Sequence, residues 1–405
     1  MTTCAAPTIF STARCLARSA PRLSAASLRF SASSIERQQR RRLHFSPESA
    51  KQVPDFAFAF DIDGVLLRSS DPIPRAHAAL DFLQKQSIPF ILLTNGGGKH
   101  EADRVAELSD KLQIPLDTSM FVQSHTPFAD MDHYKDKTVL VCGGDGAKCR
   151  HVAEQYGYQT VITPADIYVA NPDIWPFSGA LHSHYASFAR PLPSPSPKFD
   201  AIFVYADPRD WGLDLSLILD LLLSERGQLG TLSPLNGRAD LPNRGYQQDA
   251  QPPLHFSNPD LWWAARYHLS RLGQGGFREA LEGVWAKVTA GAELQKHVFG
   301  KPYQSTYEFA EKRLLAHRAA LFGEHAGARK LSTVYMVGDN LESDIRGANG
   351  YRSPVGTQWR SLLVKTGVYQ TGNALSVEPT QIVPDVFDAV NAGLARSKWR
   401  VRLEE

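Results

Sequence analysis

Residues 56–67 read FAFAFDIDGVLL, and the rest of the chain is read outward from them. Phe56, Phe58 and Phe60, with alanines between, form a short apolar run of the kind that makes a buried strand. Asp-Ile-Asp-Gly follows at once, so the carboxylates of Asp61 and Asp63 fall where the strand ends. That edge is where open parallel α/β sheets place their chemistry. Two acids at i and i+2 beside an apolar strand repel unless a cation or a shared proton relieves them. The pair therefore points to a metal site, with an acidic turn of no function as the plain alternative.

Residues 76–86 carry Ala79, Leu80 and Leu83 at helical spacing. Residues 89–94 (PFILLT) form a second buried strand, ending in Thr94, Asn95 and the glycines Gly96, Gly97 and Gly98. A strand, a helix and a strand make the crossover unit of a parallel sheet, so these loops emerge beside Asp61. The glycines offer backbone amides to an anion. A helix is predicted over 99–112, and strands over 120–124 and 138–142. The same texture returns after Lys296: Lys301 precedes a helix over 307–320, and the strand 333–337 runs into Gly338, Asp339 and, five residues on, Asp344. A strong strand at 359–364 and a closing turn and helix over 383–394 complete this part.

Between the two parts the texture changes. Residues 190–198 (RPLPSPSPK) are a stiff spacer and 234–253 a polar loop. A strand lies at 199–206, and an apolar helix at 213–223 is capped by Asp210 or Asp214. This reads as a second domain inserted at 132–292 into a first made of 55–131 and 293–400.

The composition, 43% hydrophobic and 21% charged over 405 residues, suits two packed domains. Residues 1–53 hold eight arginines and Lys51 against Glu36 and Glu48, a net +7, which leaves −5 for the remainder of a chain of net +2. The body therefore lacks the cationic surface that nucleic-acid binding needs. Residues 1–50, rich in Ala, Ser and Arg with no acid before Glu36, read as a mitochondrial transit peptide rather than a secretory signal. The longest apolar stretch, 213–223, is broken by Asp214 and Asp220 and is too short to span a membrane, which takes about 20 residues. Cys142 and Cys149 flank a Gly-Gly-Asp-Gly turn and read as reduced thiols.

Asp-x-Asp-Gly at 61–64, a hydrophobic strand ending in Thr94, a separate Lys301 and Gly-Asp-x4-Asp at 338–344 stand in this order. The set resembles the haloacid dehalogenase (HAD) superfamily. The position of the insertion, with residues 256–260 (FSNPD) and 272–277 (LGQGGF), is similar to the type 2 cap of its subfamily IIA. Residues 205–211 (YADPRDW) and 258–263 (NPDLWW) resemble the cat eye syndrome critical region protein 5 type of mitochondrial hydrolases within it.

The resemblance implies a Rossmann-like parallel sheet core, the HAD fold, with an inserted α/β type 2 cap domain. It implies a magnesium-dependent phosphatase acting on a small phosphate monoester. Asp61 would be the nucleophile and Asp63 the general acid and base, while Thr94, Asn95, Gly96 and Lys301 would bind the phosphoryl group. Asp61, Asp63, Asp339 and Asp344 would form the Mg2+ site. Some members of the type are joined to phosphatidyltransferases, which implies a role in mitochondrial glycerophospholipid metabolism, in the matrix. Trp211, Trp262, Trp263 and Tyr205 are candidates for an apolar wall of the substrate pocket. The reading from a different class is a non-catalytic mitochondrial scaffold that keeps the fold. The oligomeric state is left open.

Overall fold

Short runs of β-branched and aromatic residues build two parallel sheets in the computed structural model, which describes residues 53–404 except 264 and 266. The expected leader over 1–50 lies outside the described residues. In chain order the strands are β1 (Phe56–Phe60), β2 (Phe90–Leu93), β3 (Phe121–Val122), β4 (Thr138–Cys142), β5 (Thr160–Ile162), β6 (Ala201–Val204), β7 (Leu254–Phe256), β8 (His297–Val298), β9 (Thr333–Gly338), β10 (Gln358–Val364) and β11 (Gln381–Val383). The first sheet has the order β11-β10-β9-β1-β2-β3 and the second β8-β7-β6-β4-β5. Every pairing within the two is parallel.

β1 is apolar at every position because both of its faces are covered, as parallel sheets require. Ala76, Ala79, Leu80 and Leu83 of the helix Ala76–Lys85 supply part of that cover, and Tyr307, Ala310 and Leu314 of Gln304–Phe322 another part. The second sheet has its own core, in which Leu217 and Leu221 of Trp211–Leu223 pack with Phe277, Leu281 and Trp285 of Gln274–Val288. Of the two caps considered for Trp211–Leu223, Asp210 is the one used: its carboxylate accepts from the Leu213 amide at 3.1 Å.

Two details depart from the expected pattern. β5, β7 and β8 were invisible in the sequence because two or three residues are too few to show a period. β8 also lies past 292, so the chain leaves the second sheet only just before Lys301. The loop 234–253, read from the sequence only as polar, is stitched down. Asn243 donates to the Glu293 carbonyl and accepts from its amide (2.8 and 2.9 Å), and Gln247 does the same with Gln295 (2.9 and 2.8 Å). Among the described residues no helix is long and apolar enough to cross a membrane.

Inside the second sheet's domain Arg150 is wholly buried and donates to both Asp166 oxygens (2.6 and 2.7 Å) and to Thr163 (2.7 Å). Removing one member of such a pair strands the other charge. Asp166→Ala should therefore lower unfolding stability by about 3–5 kcal/mol, whereas replacing the whole pair with Arg150→Met and Asp166→Leu should cost far less. Urea unfolding of both variants checks this, and equal losses would remove the ion-pair account.

Candidate active site

Because β1 lies between β9 and β2 in a parallel sheet, with Phe60 opposite Val337 and Leu92, the residues that follow these strands meet at one edge. Asp61, Thr94 and Asp339 are those residues. Asp344 reaches the same place through a π-helical turn, Leu341–Ile345, opened by Asn340, whose side chain accepts from the Glu342 amide at 2.9 Å. The turn swings Asp344 back, and its Oδ2 accepts from the Asp339 and Asn340 amides, both at 3.1 Å. Asp339 is held by the Val368 amide at 2.6 Å. Two glycines permit this packing. Gly64 has φ of +95°, and a Cβ there would come within 2.3 Å of Asp339 Oδ2; one on Gly338 would come within 2.3 Å of Asp344 Oδ2.

Lys301 sits among these acids, only 1% exposed. Its ammonium donates to Asp61 Oδ1 at 2.6 Å and to the Leu93 carbonyl at 2.8 Å, and forms an ion pair with Asp344 Oδ1 at 2.7 Å. Asn95 fixes the lysine's backbone, accepting from its amide at 2.7 Å and donating to its carbonyl at 2.9 Å, and also donates to Asp260 at 3.1 Å. Thr94 Oγ1 accepts from the Gly96 amide at 2.9 Å. Asp63 stands apart from the other acids, beside Gly96 and the Thr94 hydroxyl.

Asp61, Asp339 and Asp344 each offer a carboxylate oxygen within 4.8 Å of the others. Burial pushes Asp61 up to about 8 against the pull of Lys301, and it raises Asp63 as well. Burial, then Asp61 and Asp344, hold Asp339 well above the usual carboxylate range. Burial would lower Lys301, but the neighbouring carboxylates of Asp344 and Asp61 outweigh it and hold it above its ordinary value. One ammonium is too little positive charge for these buried acids to ionise together. That deficit, and donors that are all hard oxygens, fit a divalent cation of the magnesium kind.

Above this floor lies a cavity of about 440 Å3. Seven of the eight residues singled out in the sequence line it, from Asp61, Asp63, Thr94, Asn95 and Gly96 to Lys301 and Asp339; Asp344 stands behind them. The far wall comes from the second sheet's segments, with Asp207, Asp260, Trp211, Trp262 and Trp263. Tyr205 is not part of it. Its ring is fully buried against Phe128 and His125, at centroid distances of 5.0 and 5.4 Å, because its strand position points into the core. Asp207 and Asp260 went unrecognised as site residues; their only signal was the Asp-Pro and Asn-Pro-Asp turns in which they sit.

Fold and site together define an α/β protein with a carboxylate-lined centre between two parallel sheets. The chain belongs to the haloacid dehalogenase-like hydrolases: that family's model matches residues 58–159 and a second HAD-hydrolase-like model matches 298–389. A mitochondrial hydrolase of Saccharomyces cerevisiae is 41% identical over 356 residues, covering 84% of this chain and 96% of that protein. A cardiolipin synthase (CMP-forming)/mitochondrial hydrolase fusion protein of Schizosaccharomyces pombe is 39% identical over 87% of this chain, and the match spans 56% of the fusion. Among solved structures, a possible sugar phosphatase of the HAD superfamily from Cytophaga hutchinsonii shares the fold at a TM-score of 0.55 and 16% identity, covering 84% of this chain and 96% of that one. A 4-nitrophenylphosphatase from Thermotoga maritima does so at 0.51 and 14%, covering 82% and 95%.

Lys301→Met leaves the buried acids without their ammonium. In EDTA it should lose about 3–5 kcal/mol of stability, the scale of a broken buried pair, and added Mg2+ should return part of the loss. Thermal melts with and without the ion measure both effects. A variant as stable as the parent in EDTA would show that Lys301 does not carry the charge balance.

Proposed function

We propose that this chain is a magnesium-dependent phosphatase of small phosphate monoesters that works through an aspartyl-phosphate on Asp61. What supports the reading most is the position of Asp61 on the cavity floor, held by the Lys301 ammonium and one of three converging carboxylates. The proposed metal set is Asp61, Asp339, Asp344 and Asp63, the last through its backbone carbonyl. Magnesium, when bound, would offset the charge of the phosphoryl oxygens that otherwise repels the attacking carboxylate.

In the first step an Asp61 oxygen forms a bond to phosphorus while the bond to the alcohol oxygen breaks, and Asp63 supplies the proton that oxygen takes up. Burial, which raises Asp63, favours the protonated form this step needs. In the second step Asp63 takes a proton from water as the water attacks phosphorus, and phosphate departs from Asp61. The Thr94 hydroxyl binds a phosphoryl oxygen, oriented for it by the Gly96 amide, which donates to Thr94 Oγ1. Lys301 steadies the attacking carboxylate. As Asp61 becomes esterified and loses its charge, one lysine hydrogen turns to a phosphoryl oxygen. Asp344 holds the lysine in place.

The segment from 132 to the end of the second sheet at Val298 serves as the cap that selects the leaving group and excludes water. A mitochondrial setting is supported by both relatives, which are mitochondrial hydrolases, and the basic leader supports the matrix within it. The fusion to a cardiolipin synthase in one of them supports a substrate from glycerophospholipid metabolism.

The two aspartates should fail differently. Asp61→Asn should give no covalent intermediate. Asp63→Asn should still be phosphorylated slowly by a donor with a good leaving group, which needs no proton, and should then accumulate the intermediate for want of a base. Rapid-quench labelling in Mg2+ and in EDTA tests this. If neither parent nor Asp63→Asn takes up a metal-dependent, hydroxylamine-sensitive label, the covalent mechanism is wrong and the scaffold reading replaces it.

A further inference from the structure

The cavity over Asp61 holds more positive charge than the transfer of one phosphoryl group requires. Lys99, Arg104, Arg209 and Arg271 all line it, in addition to Lys301 on the floor. The first two share a carboxylate: Glu107 lies 2.6 Å from Lys99 and 3.1 Å from Arg104, and a third cation, Lys111, is 2.6 Å away. Arg104 is the leading charge acting to lower Asp63, so its field falls on the phosphoryl end.

Arg209 and Arg271 come from the other wall and are differently placed. Among the described residues neither has a carboxylate within the 4.0 Å of an ion pair. Arg271 lies 4.8 Å from the Tyr267 ring centroid and, among the described residues, donates only to the Ser270 carbonyl, beside it in the chain. Arg271 also belongs to the antiparallel hairpin that carries Trp262 and Trp263, so arginine and indoles are fixed on one short ribbon at the cavity. Asp207 and Asp260 face the same space, but burial raises both, Asp260 to about 7, so they offset less of the positive charge than their number implies.

An exposed arginine is ordinarily a solvated surface group. Two with no carboxylate partner, lining a 440 Å3 cavity, form a focused positive field instead. That volume lies within the range of about 300–1,000 Å3 that takes a drug-sized ligand, far more than a phosphoryl group fills. We infer that the substrate is a phosphate monoester whose leaving group carries a second oxyanion, a carboxylate or a phosphate, received by Arg209 and Arg271, with the connecting part lying along Trp211, Trp262 and Trp263. The inference rests on the phosphatase reading above and narrows it from any small monoester to a doubly anionic one.

The test compares phenyl phosphate with 4-carboxyphenyl phosphate and 4-phosphonophenyl phosphate, in Mg2+ at pH 7, for the parent protein and for Arg209→Ala, Arg271→Ala and the corresponding lysine variants. For each protein the readout is kcat/KM of the doubly anionic ester divided by that of phenyl phosphate, so differences in intrinsic leaving-group reactivity cancel between proteins. The ratio should fall about tenfold in each alanine variant, the scale of one charge-assisted hydrogen bond, and be partly restored by lysine. A fall for one of the two esters alone names the oxyanion that the subsite takes. An unchanged ratio for both esters in all variants overturns the inference while leaving the phosphatase reading standing. If the parent hydrolyses none of the three, the phosphatase reading falls, and calorimetric binding of the same esters decides the subsite: equal affinities for phenyl and 4-carboxyphenyl phosphate would remove it.

Discussion

A single buried ammonium governs this structure. Lys301 is taken out of water completely, which is tolerable only because it donates to Asp61 and to the Leu93 carbonyl and is paired as an ion with Asp344. The dependence runs the other way as well. Asp61 and Asp344 come from strand ends far apart in sequence, and they can sit within reach of each other only with positive charge between them. The parallel order that places β1 between β9 and β2 is thus both the cause of the acid cluster and the source of the repulsion that the lysine relieves.

Asn95 extends this constraint to the second sheet's domain. One side chain grips Lys301 by its backbone amide and carbonyl and reaches Asp260 on the opposite wall of the cavity. The floor and the far wall are therefore registered by one amide group, and a change at either is felt at the other. Gly300 allows the approach: its φ is +96°, and a Cβ there would meet Pro259 at 2.6 Å and the Asn95 oxygen at 2.9 Å.

The floor of the site was legible in the sequence because each of its acids follows a long apolar run. FAFAF ahead of Asp61 and TVYMVG ahead of Asp339 are strong strand signals, and parallel topology then brings their ends together. The far wall was legible only in part. Its three tryptophans and the strand β6 were read from the sequence, but β7, three residues long, and a hairpin with two paired residues on each side carry no periodic signature. Tyr205 shows the same limit in one residue: a tyrosine ahead of the Asp-Pro turn that leads to Trp211 looks like pocket lining, yet strand alternation turns its ring into the core. The loop 234–253 was read as polar, which it is, but composition did not say what the polarity is for: Asn243 and Gln247 spend theirs on the backbone at Glu293 and Gln295.

The strand order also sets a sequence of assembly. All five strands of the second sheet lie in one continuous stretch, from β4 at Thr138 to β8 at Val298, so that sheet can close as soon as the stretch is available. The first sheet cannot. Its central strand β1 is laid down early, but the neighbour on one side, β9, begins at Thr333, and until then an entirely apolar strand has an unpaired edge. A chain that emerges or is threaded from its N-terminus therefore passes through a stage in which the later-numbered domain is folded and the earlier one is open. During that stage the strand that bears the two aspartates needs to be shielded from other chains.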